Sequence, residues 1–362
     1  MKYVALLMLV LMAAAAEFHT CNAFKVDSYQ SGLLVPRMYE LASAPPMLPA
    51  RIPPLYVSPG LPGEGIWYWK DMPTGESGQP IIFKTTYRPS VHYPNAIVHM
   101  FLFDMKHVST RLCIGSAEEG GSAASARIER QDRPNLLAVT NGLWKLKHSG
   151  GGGIIFRGKV VKKPAPGLAT LVVYKDQSID IVEWNDSIPI SEISDARQLK
   201  HLIVSDGKVV ESIRKGSKTA DSEIGLGALL DESRPLQIAP ADNSSGGKVM
   251  NFTSGPNWFI ATRSAFGIRG DGNLVFAIGH HISTKDLAKA LALAGCVRGI
   301  HADANPGNCI GAIYRMDEKG NVLSLAKLSP QQDDVTSKRY VMGPVQSDFY
   351  AFFKRLGETP AQ

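Results

Sequence analysis

The sequence predicts an α+β fold: a single strand-rich mixed domain with a few inserted helices. Short apolar or β-branched runs separated by turn residues recur from residue 66 to residue 278, as half-buried and buried strands do. Helical spacing of apolar residues is confined to two segments, 283–294 and 347–355. Many strands with so few helices favour a mixed domain over a doubly wound sheet. Of 362 residues, 44% are hydrophobic and 20% charged, which predicts a packed core and excludes global disorder. The formal charge of +6 comes from 39 Lys and Arg against 33 Asp and Glu. These basic residues are scattered, so there is no basic tail for nucleic acid, and the excess suits either an anionic ligand or a weakly basic surface.

At the amino end, Met1-Lys2 and the apolar run 3–16 predict a secretory signal, cut after Ala16 or Ala23 and too short to span a bilayer. The signal is placed at 1–23, and the mature chain is expected to be secreted or periplasmic, with no membrane span. Prolines crowd residues 24–62, which read as an extended arm or linker. The folded domain is expected over 63–357. Strands are predicted at 66–69, 81–86, 96–103, 108–114, 136–140, 153–161, 168–174, 179–184 and 202–205. Residues 96–103 are apolar on nearly both faces and belong inside a sheet. Loops are expected at 120–126 and at 243–247 (NSSGG).

The densest stretch is 263–305. Strands 265–268 and 273–278 flank the turn Gly270-Asp271-Gly272. Ser283 caps a helix with Asp286 three residues on. Leu287, Ala290, Leu291 and Ala294 give that helix one apolar face, and Gly295 ends it. In the following strand Ile300, Ala302 and Ala304 alternate with His301, Asp303 and Asn305, so three polar side chains share a face. Pro306-Gly307 stops it. At the carboxyl end, Phe349, Phe352 and Phe353 predict a helical face within 347–355. Once Cys21 leaves with the signal, Cys113, Cys296 and Cys309 remain. Cys296 and Cys309 are either bridged or buried free thiols. No CxxC pair is present, which disfavours structural zinc. Asn185, Asn243 and Asn251 head glycosylation sequons.

Several segments, in order, resemble the phosphodiester glycosidase domain, the family that includes the uncovering enzyme of lysosomal enzyme sorting and many secreted bacterial proteins. They are GEGIW (63–67), FKTTYRPSVHYPNAIVHMFLFDM (83–105), TNGLW (140–144), ARQ (196–198), RSAFG (263–267), and GHHISTKDLAKALALAGC (279–296) with HADAN after it. The resemblance runs over roughly 63–314 and implies a mixed fold and hydrolysis of a sugar-1-phosphodiester at the anomeric carbon. Many relatives carry Asp, a glycine-rich turn and Ser where this chain has Asp303-Ala304-Asn305-Pro306-Gly307-Asn308. In this it is similar to a bacterial subset with Asp-x-Asn.

Such a reaction needs a group for the positive charge on the sugar ring, help for the departing phosphate and a positioned water. Asp303 either supplies the carboxylate or ends a strand by satisfying turn amides. His301 is an acid-base candidate beside it. Asn305 binds sugar hydroxyls or shapes the turn. The forks of Arg263 and Arg197 suit phosphate oxygens, with a surface ion pair as the alternative for Arg263 and a structural salt bridge for Arg197. Asn141 and Gly142 either hold and admit a sugar or form a hairpin turn. The glycines at 150–153 read as a flexible turn. A metal site drawing on His280 or His281 with His301 and Asp303 is the weaker reading, and no metal or other cofactor is expected. The chain is therefore expected to be a hydrolase of sugar-1-phosphodiesters. The alternative is a non-catalytic envelope protein that binds glycans or phosphorylated cell-wall polymers.

Overall fold

In the computed structural model, residues 48–55, 60–91, 93–146, 152–215, 260–332 and 334–355 are described. All lie in the unit Pro46–Gln362. The expected signal, most of the proline-rich arm, the loop at 243–247 and the sequons at Asn243 and Asn251 lie outside the described residues. Part of the arm is described: Ile52 is buried, its N–H bonds to Gly65, and Pro53 accepts a bond from the Tyr87 hydroxyl.

Three antiparallel sheets carry the fold, and no parallel pair occurs among the described strands. The strands of the first sheet are β1 (Ile82–Tyr87), β2 (Ile97–Phe103), β10 (Leu202–Ser205), β11 (Lys208–Val209), β12 (Ala261–Arg269), β13 (Leu274–Ile282) and β14 (Cys296–His301). They run in the order β1-β2-β13-β12-β14-β10-β11. Both faces of this sheet are apolar. Phe101, Phe103, Phe266, Phe276 and Ile278 face one core, and Met100, Leu102, Ala265, Val275 and Ala277 face another. β2 is interior, as its two apolar faces require. The second core is closed by helix α2 (Thr284–Leu293), through Leu287, Ala290 and Leu291. Ser283 caps this helix, its Oγ accepting from the Asp286 amide at 3.0 Å, and Gly295 takes φ +87° just after its end. A short helix α1 spans Glu211–Lys215.

The second sheet has the order β16-β15-β4-β17-β3, with β3 (Val108–Cys113), β4 (Leu136–Asn141), β15 (Gly311–Met316), β16 (Val322–Lys327) and β17 (Phe349–Lys354). The third has the order β6-β5-β9-β7-β8, with β5 (Ile154–Phe156), β6 (Lys159–Lys162), β7 (Ala169–Tyr174), β8 (Ile179–Glu183) and β9 (Ile193–Gln198). Helix α3 spans Asp334–Met342. The first two sheets meet through aromatics: Phe103 stacks on Phe352 at 4.1 Å, and Phe266 meets the Tyr350 ring edge-on at 5.3 Å.

Four expectations are corrected. Within 347–355 the chain forms strand β17 and no helix. Phe349, Ala351 and Phe353 face one core while Tyr350 and Phe352 face another, so an aromatic run apolar on both faces is satisfied between β3 and β4. The run 153–161 is a hairpin, turned at Arg157 (φ +50°) and Gly158 (φ +75°), the backbone of a tight two-residue turn. Residues 66–69 form only the bridge Tyr68 to Lys84. β14 ends at His301, although Ser264 still exchanges backbone bonds with Ala302 and Asp303 at 2.8 Å. Cys113, Cys296 and Cys309 are free and buried.

Candidate functional site

The amino-terminal half of β12 threads three polar residues past the end of β14. Ser264 Oγ accepts from the Asp303 amide at 3.2 Å and from Asn141 Nδ2 at 2.9 Å. Asn141 Oδ1 accepts from the Ile310 amide at 3.0 Å. These bonds tie β12, β4 and the 302–310 loop together. They lie beside a cavity of about 480 Å³ lined by Asp303, Asn305, Asn308, Trp144, Lys145 and Arg339, with 344–347 forming the remaining wall.

Among the described residues, Asp303 is the one carboxylate lining this cavity. It is 4% exposed. Its Oδ1 accepts from the amides of Ala304 (2.7 Å) and Asn305 (2.9 Å), which forms the turn. Burial pushes its pKa up to about 6, against the pull of those amides, the Asn308 side chain and the Arg339 guanidinium. Arg339 donates to Gly307 O (3.3 Å), Asn308 Oδ1 (3.5 Å) and the Tyr340 hydroxyl (3.0 Å), so its positive head is held at the turn that carries Asp303.

Among the residues expected from the sequence, Asp303 and Asn305 line the cavity and the others do not. Arg263 is 2% exposed; Nε donates to Ile282 O at 3.3 Å and Nη1 to His301 Nε2 at 3.4 Å. A guanidinium can only donate, so His301 carries its proton on Nδ1. Burial and Arg263 hold His301 down to about 3, so it is a neutral acceptor and lacks the titration range of an acid-base group near neutrality. Its ring meets Trp144 edge-on at 6.0 Å. Arg197 is fully buried. Its Nε donates to Asp348 Oδ2 at 2.6 Å, Nη1 to Gln198 O at 3.0 Å and Nη2 to Trp144 O at 2.8 Å. The expected anion clamp is thus a brace behind the cavity, the structural salt bridge that was its alternative. Asn141 is likewise spent on Gly142 O, Ser264 and Ile310.

Gly142 has a packing role: a Cβ there would lie 2.7 Å from the carbonyl carbon, carbonyl oxygen and Cβ of Asp348, whose carbonyl takes the Gly142 amide at 2.8 Å. Gly142→Ala is expected to cost about 2–4 kcal/mol, read as a fall in urea midpoint with unchanged slope. A midpoint equal to wild type would mean that the 142–144 segment shifts freely.

His280 and His301 share no metal-like grouping, and no cluster of three or more His, Cys, Asp or Glu suited to a metal occurs among the described residues. His280 Nε2 meets Ser329 Oγ at 2.7 Å and Nδ1 meets Thr262 Oγ1 at 3.3 Å. His281 takes φ +53° and is exposed. Burial holds both His280 and His99 down to about 4. They stay neutral in the folded chain while unfolded histidines protonate near pH 6.5, so each contributes stability present above 6.5 and lost as pH falls towards 4. His280→Gln is therefore expected to reduce the loss of unfolding free energy between pH 6.5 and 4 by on the order of 2 kcal/mol. Chemical denaturation at the two pH values checks this; parallel curves for variant and wild type would remove His280 from the acid response.

Trp144, Lys145, Asn308 and Arg339 were not singled out from the sequence. Trp144 stood inside the quoted TNGLW and Asn308 inside the 303–308 turn. Arg339 had no signal, since α3 shows no clear apolar stripe.

No protein-family model matches the chain, and no curated protein does. Among solved structures the chain is similar to the catalytic domain of zebrafish N-acetylglucosamine-1-phosphodiester alpha-N-acetylglucosaminidase, auto-inhibited by its pro-peptide. That alignment has 14% identity and a TM-score of 0.45, over 78% of this chain and 87% of that one. It is also similar to a hypothetical protein from Synechocystis, at 11% identity and a TM-score of 0.41, over 79% of this chain and 64% of that one. Likeness at this level says nothing of activity.

Proposed function

We propose that this chain hydrolyses a sugar-1-phosphodiester in the cavity at Asp303. The observation that carries the reading is a buried carboxylate, the one among the described lining residues, poised near pH 6 in one cavity with Arg339 and Lys145. Most glycosidases use two carboxyl groups, one of them to protonate the leaving oxygen. A phosphate monoester leaves as a stable anion and needs no proton, so one carboxylate and two cations match a phosphodiester better than an ordinary glycoside. The bond between the anomeric carbon and the phosphate oxygen breaks, and the electron pair leaves with the phosphate, facing Arg339 and Lys145. Water adds to the anomeric carbon, and Asp303 takes its proton. Asn305 and Asn308 offer amides to the sugar hydroxyls, and Trp144 forms a wall.

The test is incubation of purified protein with a panel of sugar-1-phosphodiesters, following release of free sugar. Turnover that rises as pH passes upward through about 6 is expected, because the base form of Asp303 is required. No release across a broad panel would overturn the reading. The turn bonds at Asp303 Oδ1 favour a second reading, a glycan-binding protein without turnover. Saturable binding of the same sugars, unchanged in Asp303→Asn and without hydrolysis, would select it.

A further inference from the structure

We propose that a second cavity, across the 115–126 loop from the first, is an anion-binding subsite for a further negatively charged unit of a glycan substrate. The proposal rests on the reading of the Asp303 cavity as a site for a sugar phosphodiester. The two hollows share a wall. Ser116 and Ala117 donate their amides to Val345 and Gln346, which line the first cavity, and Val345 donates back to Ala126. Gly120, Ser122 and Ser125 of the same loop line the second. At about 990 Å³ the second cavity is larger than the first, at about 480 Å³, and has room for a further sugar unit with its charged group.

Its charge is unbalanced. Arg111 is paired with Asp132 at 2.5 Å, and Glu129 with Arg127 at 3.2 Å. Asp195 is buried, one oxygen accepting from the Arg157 amide at 2.9 Å and the other from Ser194 Oγ at 3.0 Å. Arg157, Lys159 and Lys175 remain, all lining the cavity and exposed; the Arg157 guanidinium also acts on the Asp195 carboxyl, so the three cations against that one carboxylate leave a net positive charge. The hairpin that presents Arg157 is pinned from below, since Gly158 also donates to Ser194 O at 2.7 Å. The Arg157 guanidinium lies over the Phe156 ring, 5.1 Å from its centre. Phe156 also packs against the core, so a base stacking on its outer face would have to displace the guanidinium. Exposed cations on a pinned hairpin fit the acidic group of a glycan.

The test compares binding of a phosphorylated oligosaccharide and its unphosphorylated parent, by titration calorimetry at low and physiological ionic strength. Wild type is set against the variant Arg157→Ser/Lys159→Ser/Lys175→Ser, whose three positions are exposed. The variant should bind the phosphorylated oligomer roughly tenfold more weakly at low salt, with a smaller salt dependence. Its melting temperature and its kcat on a small methyl sugar phosphodiester should stay unchanged. Equal affinity of variant and wild type for the phosphorylated oligomer would overturn the subsite. If wild type turns over no phosphodiester but the triple variant still loses oligomer binding, the first cavity's reading falls and the second remains an anion site.

Discussion

Asp303→Asn is expected to lower turnover of a sugar-1-phosphodiester by about 10²–10⁴-fold, the usual worth of a positioned general base, while making the folded chain more stable. The two effects share one cause. Burial raises the carboxyl from 3.8 to about 6, so above pH 6 the fold carries a charge it would hold more cheaply as a neutral group. For a raised carboxyl the folded state binds the extra proton between those two values, and stability falls as pH rises through that window. An amide keeps the acceptor for the Ala304 and Asn305 amides and removes the charge. The substitution is therefore expected to add on the order of 1–2 kcal/mol at pH 8 and nothing at pH 4. Thermal melts at both pH values, run beside the turnover assay, check this. Loss of turnover together with loss of stability at pH 8 would mean that Asp303 holds the turn as a charged group and is no poised base.

Arg197→Met is expected to destabilise the chain by about 3–5 kcal/mol, because it leaves Asp348 and Glu118 buried without their cation. The Asp348 carboxylate also takes the Gly115 amide at 3.0 Å, and Arg197 donates to the Trp144 carbonyl. The damage should therefore spread to both walls of the cavity. In a domain of this size the melting temperature should fall by roughly 10 °C. Arg197→Lys keeps the charge but not the fork, and should recover only part of the loss. Were Arg197 a ligand clamp, the Met variant would melt like wild type and lose only substrate affinity.

The 263–305 stretch was legible because its signals are local. A turn at Gly270-Asp271-Gly272, a cap at Ser283, an apolar helix face and a stop at Gly295 each depend on residues a few positions apart. The aromatic strand at the carboxyl end misled for the same reason: three phenylalanines at helical spacing look amphipathic until β3 and β4 are known to lie on either side. β9 was invisible as a strand because its inward residues, Asp195 and Arg197, are charged.

Read alone, the chain specified a strand-rich mixed domain and a capped helix, and it placed Asp303 on a strand that in fact ends at His301. Which charged residues line the cavity and which meet each other was settled by packing. Arg197 looks like an anion clamp in one dimension and is a brace in three, since its partner Asp348 stands 151 residues away. Arg339, which carried no signal in the sequence, lines the cavity. Hydrophobic periodicity is written in neighbouring residues, whereas the fate of a charge depends on how deeply it is buried and what lies within about 3 Å of it, and those are properties of the folded chain.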